Sequence, residues 1–300
     1  MTVPMSLFAP FRVICLWLII SILIAGSIVT NILQIVILPV DLLFPALTSS
    51  FHSIMADRLM LLLEIGFEKI NNIEIQVTGD KIPQNESAII ISNHLGAIDF
   101  LLHNVVSSRA GKRGDCKYFI KYSSLFIPIF GLIMYFLGFI FLNRNWQSDR
   151  KYLQKQFSFI KNSKKPIWLM LFPEGTRYSL EKVKSSQDFS KENNLPVLDN
   201  VLYPRTKGFI ETVQSLRKSH VTHVYDFTLA IHHQTKGFAA VPPIAQVFLF
   251  GVSGYKCMIH VKRYAIAHLP ESDEELGQWA KDRFHEKDLF LEELKNKWKE

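Results

Sequence analysis

Two short runs of this 300-residue chain bring together residue types that can handle protons and phosphate. The first is Asn93-His94-Leu95-Gly96-Ala97-Ile98-Asp99. An imidazole can take a proton from a hydroxyl, while a nearby carboxylate holds its tautomer and stabilises the imidazolium that forms. The second is Phe172-Pro173-Glu174-Gly175-Thr176-Arg177, which joins a carboxylate, a flexible glycine, a hydroxyl and a guanidinium. A guanidinium suits phosphate because its planar fork donates two parallel hydrogen bonds. The His-x4-Asp spacing carries little weight alone. It occurs at His52/Asp57, His94/Asp99 and His268/Asp273, where composition predicts about 0.4 chance matches.

Context separates the three. Only His94 follows a run that reads as a buried strand, SAIIIS (87–92), and precedes a stretch, 100–110, that reads as a helix stopped near Gly111. Residues five apart lie about 140° apart around an ideal helix, so the pair cannot share a helix face. At a strand-to-helix turn, however, His94 can precede the helix while Asp99 lies in its first turns, and Gly96 permits the tight path. The second run follows another buried strand, IWLMLF (167–172), and strand ends of α/β sheets commonly hold ligands.

Other elements complete an α/β pattern. Residues 51–72 read as an amphipathic helix, and 73–79 (IEIQVTG) alternate like a strand. A basic helix is expected from the 150s to Lys165 and a polar surface loop over 181–200. Strands are expected at 223–231, 246–251 and 257–266, and an amphipathic helix in the tail from Asp273. Alternating strands and helices predict a mixed sheet flanked by helices.

Two apolar stretches bear on membranes. No charge lies between Arg12 and Asp41. A helix over 13–38, ended by Pro39, would span about 39 Å, enough for a ~30 Å hydrocarbon core. The run is too long for a cleaved signal peptide. Residues 125–142 are also uncharged, but Pro128, Gly131 and Gly138 interrupt them. A helix and a strand, buried or dipping into the membrane surface, are favoured there over a second span. The mean hydropathy of +0.14 and the single clear span argue against a many-pass channel. The apolar share of 48% excludes intrinsic disorder as the main state. Three cysteines without metal-ligand spacing exclude a disulfide scaffold or zinc ribbon and fit a reducing compartment or a cytosolic face.

The net charge is concentrated. Residues 111–265 carry 23 Lys/Arg against 9 Asp/Glu, a net of +14, whereas 1–110 net −3 and 266–300 net −4. Such a field suits nucleic acid, or anionic lipid and phosphate-bearing ligands. No nucleic-acid-binding motif accompanies it, so no nucleic-acid partner is expected.

NHxxxxD followed 80 residues later by FPEGTR resembles the glycerophospholipid acyltransferases, the 1-acylglycerol-3-phosphate acyltransferase superfamily. The segments 121–131 and GFIFLNR (138–144) resemble that family's second block, with Arg144 at its basic position. VLYPRTKGF (201–209), VYDFTLAI (224–231) and the tail 279–294 resemble the lysocardiolipin and lysophosphatidylinositol acyltransferase branch. Val241-Pro242-Pro243-Ile244 is similar to the fourth block, which carries a proline near a strand. The likeness covers roughly residues 85–295.

The resemblance implies acyl transfer from acyl-CoA, as co-substrate, to the free hydroxyl of an acidic lysophospholipid, with lysophosphatidic acid as the alternative acceptor. A catalytically silent lipid-binding scaffold is the alternative of another class. The resemblance assigns His94 as general base and Asp99 as its holder. It places Arg144 and Arg177 on the lipid phosphate, and Glu174 on the glycerol backbone or against Arg177. Gly175 and Thr176 complete the binding turn. It implies neither metal nor resident cofactor. The expected organisation is an N-terminal membrane anchor (1–45), an amphipathic helix and connector (46–80), a catalytic acyltransferase domain (81–267) and an amphipathic helical tail (268–300). The partners implied are acyl-CoA, lysophospholipid and the bilayer. The expected location is the endoplasmic reticulum membrane, or alternatively the mitochondrial outer membrane. Residues 125–142 are expected either to line an acyl groove or to be ordinary core.

Overall fold

The computed structural model describes residues 9–143 and 145–299. Its centre is a mixed sheet of eight strands among the described residues. In chain order these are β1 (Glu74–Gly79), β2 (Ala88–Ser92), β3 (Cys116–Lys121), β4 (Ile140–Leu142), β5 (Trp168–Leu171), β6 (His223–His233), β7 (Gly237–Phe238) and β8 (Tyr255–Ala265). The spatial order is β1-β8-β6-β2-β5-β3-β4, with β7 paired to β6. β6 runs antiparallel to β8 and β7; the other pairings are parallel. β1, within the stretch expected as a connector, is an edge strand of this same sheet.

The central strands β2 and β5 are buried throughout. This explains their near-continuous apolar sequence, since parallel strands with both faces covered need not alternate. Helices supply the cover: α3 (Asp99–Arg109), α5 (Trp146–Ser163), α7 (Lys207–Leu216) and α9 (Asp273–Lys297). The Asn145 side chain caps α5 by accepting from the amides of Gln147 and Ser148.

Several expectations need correction. The N-terminal helix α1 (Ala9–Leu43) runs through Pro39 and ends four residues later. Proline removes one hydrogen bond from the helix, but the next turn still closes, with Phe44 N–H donating to the Val40 carbonyl at 2.7 Å. The polar stretch 181–200 is not a loop throughout: α6 (Leu180–Glu192) occupies most of it. Ser179 caps that helix by accepting from Lys182 N–H, and only Val183 and Ser190 are buried, so its sequence shows no apolar stripe. Residues 246–251 form no strand; they belong mostly to α8 (Ile244–Leu249), which packs on α1. The segment 241–243 is irregular chain leading into α8. Residues 125–142 form a short helix, α4 (Phe130–Phe136), and the strand β4. β3 had no counterpart among the expected strands.

Of the helices described, one is long and apolar enough to cross a membrane, spanning Pro10–Leu43. It does not stand apart from the body. Leu16, Ile19, Leu23, Ser27, Thr30 and Gln34 are buried, a spacing of three and four that marks one face along the helix. That side of α1 packs against α2 (Pro45–Glu64), α4 and α8.

Candidate active site

β2 and β5 are parallel neighbours in register, Ile91 opposite Leu171. Their carboxyl ends therefore lie side by side, and the two runs singled out in the sequence begin there. Asn93, the first residue past β2, is buried. Its side-chain amide donates to the Leu229 carbonyl at 3.0 Å, and its carbonyl oxygen accepts from Leu229 N–H at 2.7 Å. β2 pairs with β6 only as far as Ser92 opposite Phe227, so Asn93 extends that ladder with a side chain.

The chain then turns and α3 begins at Asp99. The Asp99 carboxylate folds back over the turn and accepts from the amides of Leu95 at 2.7 Å and Gly96 at 3.0 Å. Its Oδ2 also lies 2.8 Å from His94 Nδ1. A carboxylate only accepts, so Nδ1 carries the proton and Nε2 presents a lone pair. The side chain of Asp99 is 1% exposed and that of His94 19%. The imidazole thus keeps an accessible surface while its partner is sealed. Burial pushes the Asp99 carboxyl above its ordinary range, against the pull of His94 and the two amides. The imidazole stacks on Phe172, centroids 4.1 Å apart and planes at 23°.

Phe172 opens the second run. Gly175 N–H closes a turn onto the Phe172 carbonyl at 3.0 Å, with Gly175 at φ +70°, where a side chain would be strained. Just beyond it, Tyr178 N–H donates to the His94 carbonyl at 2.7 Å, tying the two loops together. Glu174 points inward. It is 3% exposed, and neither carboxylate oxygen has a hydrogen bond among the described residues. The backbone of His94 and Leu202 and the charge of Lys287 favour its anion without closing a bond of normal geometry. Burial, reinforced by Asp99, outweighs them and raises its pKa well above the carboxylate range. Gly175 and Arg177 are exposed and Thr176 is half-buried. No Glu174–Arg177 ion pair forms. Arg144 lies outside the described residues.

Four features around the site were not assigned from sequence. His103 is fully buried behind His94, its Nε2 3.2 Å from Ser92 Oγ and its ring against Phe172. Lys287 of α9 reaches through the core to an ion pair with Asp226 of β6 and donates to the Phe227 carbonyl at 2.8 Å. These two residues lie in the segments 224–231 and 279–294 that carried the branch resemblance, but nothing local marks them as partners. Asp288 of α9 accepts from the amides of Asp199 at 2.9 Å and Asn200 at 2.6 Å, fastening the segment that leads to Arg205. Val241 packs on the His94 loop: a Cβ added to Gly96 would sit 2.6 Å from Val241 Cγ1. The other two His-x4-Asp spacings form no pair. His52 meets Asp41 at 3.2 Å, while Asp57 takes Arg113.

Between α2, α3, β3 and the end of α4 lies a small cavity of about 10 Å³. Leu137 and Phe139, from the stretch considered for an acyl groove, are among its walls. At this volume it admits about one water and no acyl chain without movement of its walls. Among the described residues, no cluster of three or more His, Cys, Asp or Glu could hold a metal ion.

The sequence matches the family model described as "Acyltransferase" over residues 74–232 and "Acyltransferase C-terminus" over 248–299. It is 36% identical, over 73% of its length and 56% of the relative's, to 1-acyl-sn-glycerol-3-phosphate acyltransferase 2 of Brassica napus. It is 34% identical, over 69% of its length and 53% of the relative's, to 1-acyl-sn-glycerol-3-phosphate acyltransferase delta of Homo sapiens. The chain thus spans little more than half the length of these relatives. The fold resembles the crystal structure of the 1-acyl-sn-glycerophosphate acyltransferase PlsC from Thermotoga maritima, with TM-score 0.52, 16% identity and 97% of each chain covered.

Proposed function

Since the chain belongs to the glycerophospholipid acyltransferase superfamily, we propose that it transfers an acyl chain from acyl-CoA to the free hydroxyl of a lysophospholipid, with His94 as general base. The observation that carries this reading is the His94–Asp99 pair, with Nδ1 committed to a sealed carboxylate and the ring still accessible. His94 Nε2 takes the hydroxyl proton as the alkoxide oxygen attacks the thioester carbonyl carbon. The tetrahedral intermediate collapses with cleavage of the carbon–sulfur bond. The CoA thiolate leaves and recovers the proton from the imidazolium. Asp99 holds the ring and offsets its transient charge. Acyl transfer is direct, so no serine or cysteine nucleophile is involved. Arg177, exposed on the turn tied to His94, faces the acceptor's phosphate. Glu174, buried with its pKa raised by desolvation, supports that turn from beneath.

For the acceptor, the names of the relatives favour 1-acyl-glycerol-3-phosphate over the lysophosphatidylinositol or lysocardiolipin type expected from segments 201–209 and 279–294. The exposed side of α1 lies against lipid and holds the site at the membrane surface. The proposed location is the endoplasmic reticulum membrane, with the mitochondrial outer membrane as alternative; fractionation distinguishes them.

The test is transfer of labelled acyl-CoA by purified, detergent-solubilised protein. The acceptors are lysophosphatidic acid, lysophosphatidylinositol, lysophosphatidylglycerol, monolysocardiolipin and lysophosphatidylcholine, with His94→Ala beside the wild type. One strong acceptor, lost in the variant, is the expected result. Unchanged transfer by His94→Ala overturns the mechanism. No transfer by folded wild type overturns the enzyme reading in favour of a lipid-binding scaffold.

A further inference from the structure

The segment that runs beside the Phe172–Arg177 turn carries an arginine with no role so far. Arg205 N–H donates to the Pro173 carbonyl at 2.8 Å, so its backbone is joined to the turn. Its side chain crosses Gly175: a Cβ there would lie 3.5 Å from Arg205 Cδ and 3.8 Å from Nε. The Arg205 stem therefore runs alongside Gly175, within van der Waals reach of where a Cβ would stand.

Charge makes this placement unusual. Arg205 and Arg177 are both exposed, and among the described residues neither guanidinium has a hydrogen bond or ion pair. Lys207, two residues on, is in the same condition. The carboxyl closest to the turn in sequence, Glu174, is 3% exposed and faces inward, away from these cations. Lys207 also starts α7, whose N-terminal end is itself positive, and Thr206 supplies no side-chain cap there. Like charges gathered at a positive helix end repel one another unless an anion lies between them. The turn and the 202–205 segment are braced from behind: Asp288 holds the amides of residues 199 and 200, and Tyr178 OH donates to the Asp199 carbonyl at 3.0 Å. The backbone of this cationic rim is thus held in place while its charges are left unmatched.

We infer that Arg205 is a second phosphate-binding arginine, acting with Arg177 on the head-group phosphate of the acceptor lysolipid. This rests on the acyltransferase reading above. Two guanidinium forks can share the oxygens of one phosphate monoester, and each charge-assisted pair strengthens binding. The phosphates of acyl-CoA offer the same chemistry, so the two substrates must be varied separately.

The experiment measures steady-state kinetics of the full chain in detergent for wild type, Arg205→Ala, Arg205→Lys and Arg177→Ala. Calorimetric binding of 1-acyl-glycerol-3-phosphate is measured in parallel. Arg205→Ala is expected to raise the lysolipid KM and Kd by about 10–100-fold. Its kcat stays within about threefold, because the contact is made equally in ground and transition states. Arg205→Lys recovers part of the loss, and the KM for acyl-CoA does not move. Lysolipid KM and Kd within about twofold of wild type in Arg205→Ala overturn the inference, as does a rise confined to acyl-CoA. Wild type that binds the lysolipid in an Arg205-dependent way but transfers nothing overturns the enzyme reading alone. Wild type that does not bind the lysolipid overturns both.

Discussion

At the scale of single residues, the proposed mechanism divides proton handling between the accessible ring of His94 and the sealed carboxylate of Asp99. Asp99→Asn places an amide where three groups donate: the Leu95 amide, the Gly96 amide and His94 Nδ1. The asparagine NH2 cannot serve all three, and the imidazole is driven toward the opposite tautomer. The expected loss in kcat is about 10⁴-fold, the scale known for the same change in a Ser-His-Asp triad. Kinetics check it, with circular dichroism to show that the variant is folded at the assay temperature. His103 offers a pH test. Its folded pKa is lowered to about 3, first by burial and then by the charges of His94 and Lys287. Above pH 6.5 both folded and unfolded forms are neutral and the stability is complete. Between pH 6.5 and about 3 the unfolded chain takes up a proton that the folded one does not, so stability falls by up to ~1.4 kcal/mol per unit. His103→Gln is expected to flatten this acid limb in melting curves recorded from pH 7 to pH 4.5.

At the scale of elements, strand ends are joined by side chains rather than by ladder bonds. Asn93→Ala leaves the buried Leu229 N–H and carbonyl without their partner on the β2 side. The expected cost is ~2–6 kcal/mol, at 1–3 kcal/mol for each unsatisfied group, read by denaturant unfolding. The link between α9 and β6 is ionic. Lys287→Met strands a charge at Asp226 and is expected to cost ~3–5 kcal/mol, whereas the double change Asp226→Leu with Lys287→Met restores most of it. A double variant no more stable than the single one overturns that account. The strands with continuous apolar runs, β2 and β5, could be read from sequence because burial on both faces admits little else. α6 could not, because a helix that buries so little carries no periodic signal. α8 was read as a strand because six residues are too few to separate the two periods. Packing against α1 decides it.

At the scale of the whole molecule, α1 is fastened to the body that carries His94 and Asp99. Asn31 Nδ2 donates to the Ile129 carbonyl at 2.9 Å, and Trp17 Nε1 to the Leu249 carbonyl at 3.0 Å. Its outer surface exposes Ile14, Leu18, Ile28, Val29, Ile32 and Val36, and the adjoining segment exposes Phe126, Ile127 and Phe130. An apolar surface of this kind marks a contact with a membrane or another protein, and lipid is the partner proposed above. Val29→Lys combined with Ile32→Lys is expected to weaken co-sedimentation with phospholipid vesicles by at least about tenfold. The melting temperature should hardly change, since both side chains are more than half exposed, at 54% and 55%. Undiminished vesicle binding would remove this face from the account.

The sequence by itself determined the residue types, their order and the buried strands that precede them. Those are local properties, written in composition and period. It also sufficed to place Asp99 at the start of a helix and His94 just before it, because a strand ending at Ser92 leaves so short a turn. What only the tertiary structure decided is which distant groups meet. The parallel register of β2 and β5 brings His94 against Phe172, and α9 closes on Asp226. It also turned Glu174 away from Arg177 and into the core, and laid Arg205 over Gly175. Contacts between residues far apart in the chain follow from how layers pack, and no local pattern in the sequence records that packing.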